Sequence, residues 1–181
     1  MTKKFFGLVM VLLFGMVGII DINAQTDARL NGTWVAITVP EETLRLAENA
    51  FRQAGITGFQ LQHQISELRT GILRQEVRKN NGNLETALDG SLISRGTYTA
   101  SNGVLTTRTT HMHGGAMGLE PRWYTIDEMQ RTLIGMGLSR EMVGAMFSLF
   151  ALEEIPSKYS VTANTLTTTH PVGGVTVFTR R

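Results

Sequence analysis

Two ten-residue stretches of this chain align without a gap: Tyr98 to Thr107 and Tyr159 to Thr168. In both, a Tyr stands seven residues before a Leu, Leu105 and Leu166, with an Asn-containing turn between them and a Thr-Thr pair after. Such a stretch reads as strand, tight turn and strand, because β-branched and aromatic residues suit a pleated half-buried surface and Asn tolerates turn geometry. A chain that uses the same hairpin twice is committed to antiparallel β-structure. Two copies separated by other segments are too few for a repeat array.

Further strands follow the same signals. Thr33 to Val39 is a β-branched and aromatic run that Pro40 ends, and Leu84 to Leu88 and Ser91 to Ala100 flank Asp89-Gly90. Val104 to His113, Glu120 to Tyr124, Lys158 to Thr162, Thr165 to His170 and Val175 to Arg180 bring the number to eight. Eight strands joined mostly by hairpins can close on themselves, which removes exposed edges.

Between strands the period changes to that of a helix. Leu44, Ala47, Phe51 and Ala54 recur at helical spacing from Glu41, with Thr38 and Glu41 forming a capping-box pattern. Leu61, Ile65, Leu68 and Ile72 continue that spacing from Gln60 to about Lys79, so the charged run Arg74 to Lys79 is expected to be a solvated helix end. A second helical region opens at Thr125 with Glu128 and carries Met129, Leu133 and Met136; another helix from Ser139 carries Met142, Met146, Phe147 and Leu149. The expected fold is mainly β, an eight-stranded antiparallel barrel. Helical insertions at about 41–79 and 125–152 fall between strands 1 and 2 and before the last three strands.

The first 24 residues have a different character. Lys3 and Lys4, an uncharged run from Phe5 to Ile20, and Ile22-Asn23-Ala24 make a secretory signal peptide, leaving 25–181 as a single barrel domain. The product is expected to be exported and soluble, in the periplasm or secreted. Cysteine is absent, so the chain has no disulfide, thiolate nucleophile, Cys-ligated metal or lipidation site after the signal. With Lys3, Lys4 and Asp21 removed from 17 basic and 15 acidic residues, the remainder is close to neutral, which argues against a nucleic-acid partner.

Gly32-Thr33-Trp34 shortly after the signal, Gly96-Thr97-Tyr98 with its Asn-Gly turn, Tyr159 to Thr168, and a last strand ending in Arg180 together resemble the lipocalin-like group of the calycin superfamily. The resemblance covers the strands; both helical insertions depart from the usual pattern. It implies that Trp34 packs across the closed end of the barrel beneath Arg180, and that the open end admits small apolar molecules.

The functional expectation is a barrel that binds a small apolar or amphiphilic molecule. Trp34, Tyr98, Leu105, Tyr159 and Leu166 would line its interior, and Met129, Met146 and Phe147 of the Met-rich helices would gate or cover it. The same helices could instead pack outside the barrel as ordinary core. The alternative function is a non-enzymatic envelope or secreted interaction module that presents the Met-rich insertion to a protein partner. His111 and His113 project to one face of a strand, a spacing that can share a metal but that lacks the third ligand a catalytic site needs. No Gly-x-Ser-x-Gly elbow or phosphate loop occurs, so neither catalysis, nor a cofactor, nor a metal is expected.

Overall fold

A computed structural model describes residues 26–181 except 54, 152–154 and 173. The segment Met1 to Ala24, expected to be a signal peptide, therefore lies outside the described residues. A short 3-10 turn, Ala28–Leu30, precedes β1 (Gly32–Ala36). Helices α1 (Glu41–Gln53) and α2 (Gly58–Arg74) then intervene before β2 (Gln75–Asn80), β3 (Asn83–Leu88), β4 (Ser91–Ser101) and β5 (Val104–His113). After the turn Gly114–Met117 come β6 (Trp123–Thr125), α3 (Ile126–Gly135) and α4 (Arg140–Ala151), and the chain returns through β7 (Ser157–Val161), β8 (Thr165–His170) and β9 (Gly174–Arg180).

The strands close in the order β1-β2-β3-β4-β5-β7-β8-β9, every pairing antiparallel, and β9 returns to β1 with Trp34 opposite Arg180. This is the eight-stranded barrel expected from the strand count, with helices inserted at the two expected places. Its membership differs by one strand. β6 is not part of the closed ring: it pairs with the far end of β5, whose near end is taken by β7. The missing member is β2, which occupies residues expected to be the end of the second helix.

The correction at β2 has a physical cause. Helix α2 stops at Arg74, whose guanidinium binds Asp89 in the β3–β4 turn, and the next six residues alternate faces. Gln75, Val77 and Lys79 point into the barrel, while Glu76 and Arg78 point out and pair with each other at 2.9 Å. Two of the three inward side chains are polar, so the alternation that identifies a half-buried strand is invisible to a hydrophobicity pattern. The same correction removes the solvated helix end: Lys79 is 5% exposed.

Two smaller expectations also change. Thr38 does not cap α1, because its hydroxyl accepts the Val177 N–H at 2.9 Å and so extends the β1–β9 seam. Thr125 does cap α3, accepting the Glu128 N–H at 3.2 Å. The strand expected at Glu120 to Tyr124 is confined to Trp123–Thr125.

Three hairpins turn through Asn81-Gly82, Asp89-Gly90 and Asn102-Gly103, each with φ positive at both residues, the geometry whose twist matches the flanking strands. Asn81-Gly82 and Asn102-Gly103 lie at the end of the barrel where β1 begins. The duplicated stretches meet them alike: the Tyr98 N–H donates to the Gly82 carbonyl at 2.7 Å, and the Tyr159 N–H to the Gly103 carbonyl at 2.8 Å. Both helical pairs attach at the opposite end. α1 rests against α2 and α4, and the helices share one apolar cluster with Ala36, Ile93 and Met112 of the barrel.

Gly96 sits where β4 and β5 shift register, and a Cβ there would fall on the Arg108 carbonyl. Gly96→Ala should therefore destabilise the barrel by about 2 kcal/mol or more, because the obstacle is backbone and cannot rotate away. Gly144→Ala on α4, where an added Cβ meets nothing within 4 Å, should raise stability by up to about 1 kcal/mol through helix propensity. Urea unfolding of the two variants beside the parent checks both signs.

Candidate functional site in the barrel interior

Strand alternation sorts the interior into three zones. At the closed end Leu30, Trp34, Val77, Leu84, Tyr98, Ala100, Leu105 and Leu166 form one buried apolar cluster, the floor. At the open end the helix residues Leu44, Phe51, Leu68, Met129, Leu133, Val143 and Phe147 form a second cluster with Met112 and Ala36. Between them inward-facing Gln75, Thr86, Ser94, Thr107, Thr109, Ser157 and His170, from β2, β3, β4, β5, β7 and β8, are all buried. The interior is thus apolar, polar and apolar along its axis.

The floor is assembled around the segment before β1. The Trp34 indole N–H donates to the Leu30 carbonyl at 2.7 Å, and the Arg180 guanidinium lies 4.5 Å above the Trp34 ring while donating to the Arg29 carbonyl at 2.6 Å. Gly32 precedes this pair with φ +136°, a backbone conformation that a side chain would strain. The two tyrosines of the duplicated stretches complete the closure. Tyr98 donates its hydroxyl to Asn31 at 2.9 Å, and Tyr159 donates its hydroxyl to Asp27 at 2.9 Å. Asp27 also receives the Arg29 guanidinium at 2.7 Å, and these bonds, led by Arg29, hold its carboxyl down at about 2. Burial, with the adjacent Asp27 carboxylate, pushes the Tyr159 hydroxyl up to about 12.

Among the residues singled out from the sequence, Trp34, Tyr98, Leu105 and Leu166 meet in the floor, with Tyr159 half-buried beside them. Met129 and Phe147 lie in the helix cluster instead, so the eight do not converge on one spot. Met146 is on α4, and its side chain lies outside the described residues. His111 and His113 sit on the outer wall: His111 Nδ1 is 2.9 Å from the Thr110 hydroxyl, and His113 meets the Trp123 ring edge-on at 5.2 Å. Among the described residues no group of His, Asp and Glu could hold a metal ion, and no helix is long and apolar enough to cross a membrane.

Lys79 and the polar belt were not among the residues expected from the sequence. Lys79 pairs across to Gly32 and Leu84, and its ammonium lies 4.8 Å from the centre of the Tyr98 ring. Among the described residues no carboxylate lies within 4.0 Å of it. Burial alone lowers its pKa to about 7. One signal did point there: a two-residue Asn-Gly turn at Asn81-Gly82 requires a strand on each side, and so requires one before Asn81. His170, the belt's imidazole, accepts the Val172 N–H on Nδ1 at 3.2 Å, which leaves Nε2 as the donor of its neutral form.

Fold and interior together define a closed antiparallel β-barrel with helices packed at one end and an interior of both polar and apolar side chains. No family model matches the chain, and no curated protein matches it. Among solved structures it is similar to a DUF4847 family protein from Bacteroides vulgatus ATCC 8482, with 13% identity over 85% of this chain and 95% of that one, and a TM-score of 0.41.

The buried lysine imposes a pH signature on stability. Its folded pKa lies below the unfolded value of 10.5, so the folded state holds fewer protons than the unfolded chain between about pH 7 and 10.5. Stability from this group is therefore fully present above the unfolded value and is lost as pH falls through about 7. Lys79→Met removes the linkage, so between pH 7 and pH 10 its stability relative to the parent should be greatest at pH 7 and shrink by about 3–4 kcal/mol towards pH 10. Urea midpoints of the two proteins at three pH values measure the trend, and a constant difference would contradict it.

Proposed function

We propose that this chain is an exported, lipocalin-like carrier that takes a small amphiphilic molecule into its barrel. The observation that carries the reading is the buried polar belt between two separate apolar clusters. A lumen with hydroxyls, an amide and an imidazole between two apolar zones suits a guest that has both kinds of surface. The helices stand where a cover would, their apolar cluster continuous with Ala36 and Met112 at the mouth. Export rests on the charged, apolar and small-residue regions of Met1 to Ala24.

The interaction-module reading has less support. Met112, Met117, Met129 and Phe147 are buried, which leaves Met136 as the exposed methionine among those side chains described on the two later helices.

Native mass spectrometry of the protein purified from its own host, followed by denaturing extraction, tests the carrier reading. The expected result is a complex heavier than the chain by one small molecule that is released on unfolding, with a chain mass that starts at Gln25. A homogeneous bare chain from every fraction would contradict ligand carriage, and a mass that includes Met1 would contradict export by signal cleavage.

A further inference from the structure

The geometry points to Lys79 as the internal counter-ion for a carboxylate, so that the carried molecule is a monocarboxylate amphiphile bound with its acidic head towards the barrel floor. This assignment rests on the carrier reading above and names the head group of its ligand.

Four observations support it. Lys79 faces inward from β2 and is buried, yet no carboxylate of the described residues is in reach, so the ammonium is desolvated with only the Tyr98 ring beneath it. A buried cation of this kind loses hydration that an aromatic face alone returns only in part. Of the other charges at this end, Asp27 is bonded to Arg29 and the Tyr159 hydroxyl, while Arg180 lies over the Trp34 ring and donates from its terminal nitrogen to the Arg29 carbonyl, its buried Nε having no hydrogen-bond partner among the described residues. A single ammonium with no carboxylate of the described residues in reach matches a singly charged head group.

A carboxylate beside Lys79 would restore the protonated amine that burial disfavours. Its binding is therefore coupled to proton uptake above about pH 7. The remaining titratable groups facing this space do not obscure that coupling. Tyr98 on β4 and Tyr159 on β7 are both raised above the ordinary phenol value, Tyr159 to about 12, and Asp27 before β1 is held at about 2. Arg29 is raised further by its bond to Asp27, and Arg180 faces the Trp34 ring. His170 on β8 faces the same lumen from the belt.

Calorimetric titration of the delipidated full-length mature protein with dodecanoate and with dodecanol, matched in chain and different in head, tests the assignment. The parent should bind dodecanoate at least about tenfold more tightly than dodecanol at pH 7. Lys79→Met should bring the two affinities together while keeping that for dodecanol. In the parent, the preference for dodecanoate should shrink as pH rises from about 7 to 9, and dodecanol binding should stay level. Should Lys79→Met fail to fold, that pH series decides alone. Equal affinities for the two probes, or a preference that survives in Lys79→Met or stays level with pH, would overturn the role of Lys79 and leave the carrier reading standing. Absence of binding by either probe would overturn both.

Discussion

Everything in this fold hangs on the packing of Trp34 against the segment just before it. The indole is fully buried, its N–H is bonded to Leu30, and its face carries Arg180, the last residue of β9. That one side chain therefore joins the start of the first strand to the end of the last, the seam at which an eight-stranded sheet becomes a barrel. Around it the same local design is used on two sides. Tyr98 and Tyr159 each take the carbonyl of a neighbouring turn with the backbone and reach a side chain of the Asp27 to Asn31 segment with the hydroxyl. Truncating a buried Trp costs about 3–5 kcal/mol in general; here it would also strand a carbonyl and a guanidinium.

The floor explains where polarity can be tolerated. Because the closed end is sealed by apolar contacts and three aromatic side chains, groups above it are shielded from water, and their charge states respond. Lys79 shows this most directly, as burial alone brings its amine near neutrality. A lysine one residue away on the outer face would have ion pairs within reach, as Arg78 has with Glu76. The strand alternation that puts Arg78 outside thus puts Lys79 inside, and the chemistry of the interior follows from register.

Much of this was legible from residue order alone. The hairpins were readable because Asn-Gly and Asp-Gly turns have a strong steric signature, and the Gly32-Thr33-Trp34 start because an aromatic strand beginning after a glycine has few alternatives. The helices were readable because Leu44, Phe51, Leu61 and Leu68 keep their period. The failures share one cause. β2 buries Gln75 and Lys79, Thr38 spends its hydroxyl on a strand that lies 139 residues away, and β5 divides its edge between β6 and β7. In each case a long-range partner decides what the side chain does, and local pattern carries no record of it. The polar belt was missed for the same reason: single Thr and Ser residues in alternating strands look alike whether they face the lumen or the solvent.

The placement of the helices gives the two ends of the barrel different mechanical characters. At the floor, closure is by strand pairing, buried indole and side-chain hydrogen bonds that cross from the first strand to the last. At the mouth, α1 and α2 leave from β1 and return to β2, neighbours in the sheet, while α3 and α4 run between β6 and β7, which share the edge of β5. Both pairs can therefore shift without breaking a barrel pairing. What holds them is mainly apolar contact, α1 against α4 and the shared cluster with Met112 and Ala36, which is non-directional and tolerates sliding better than a hydrogen-bonded seam does. Under the carrier reading proposed above, a guest would enter past the helices and meet the polar belt first, with the charge at Lys79 at the far end of its path.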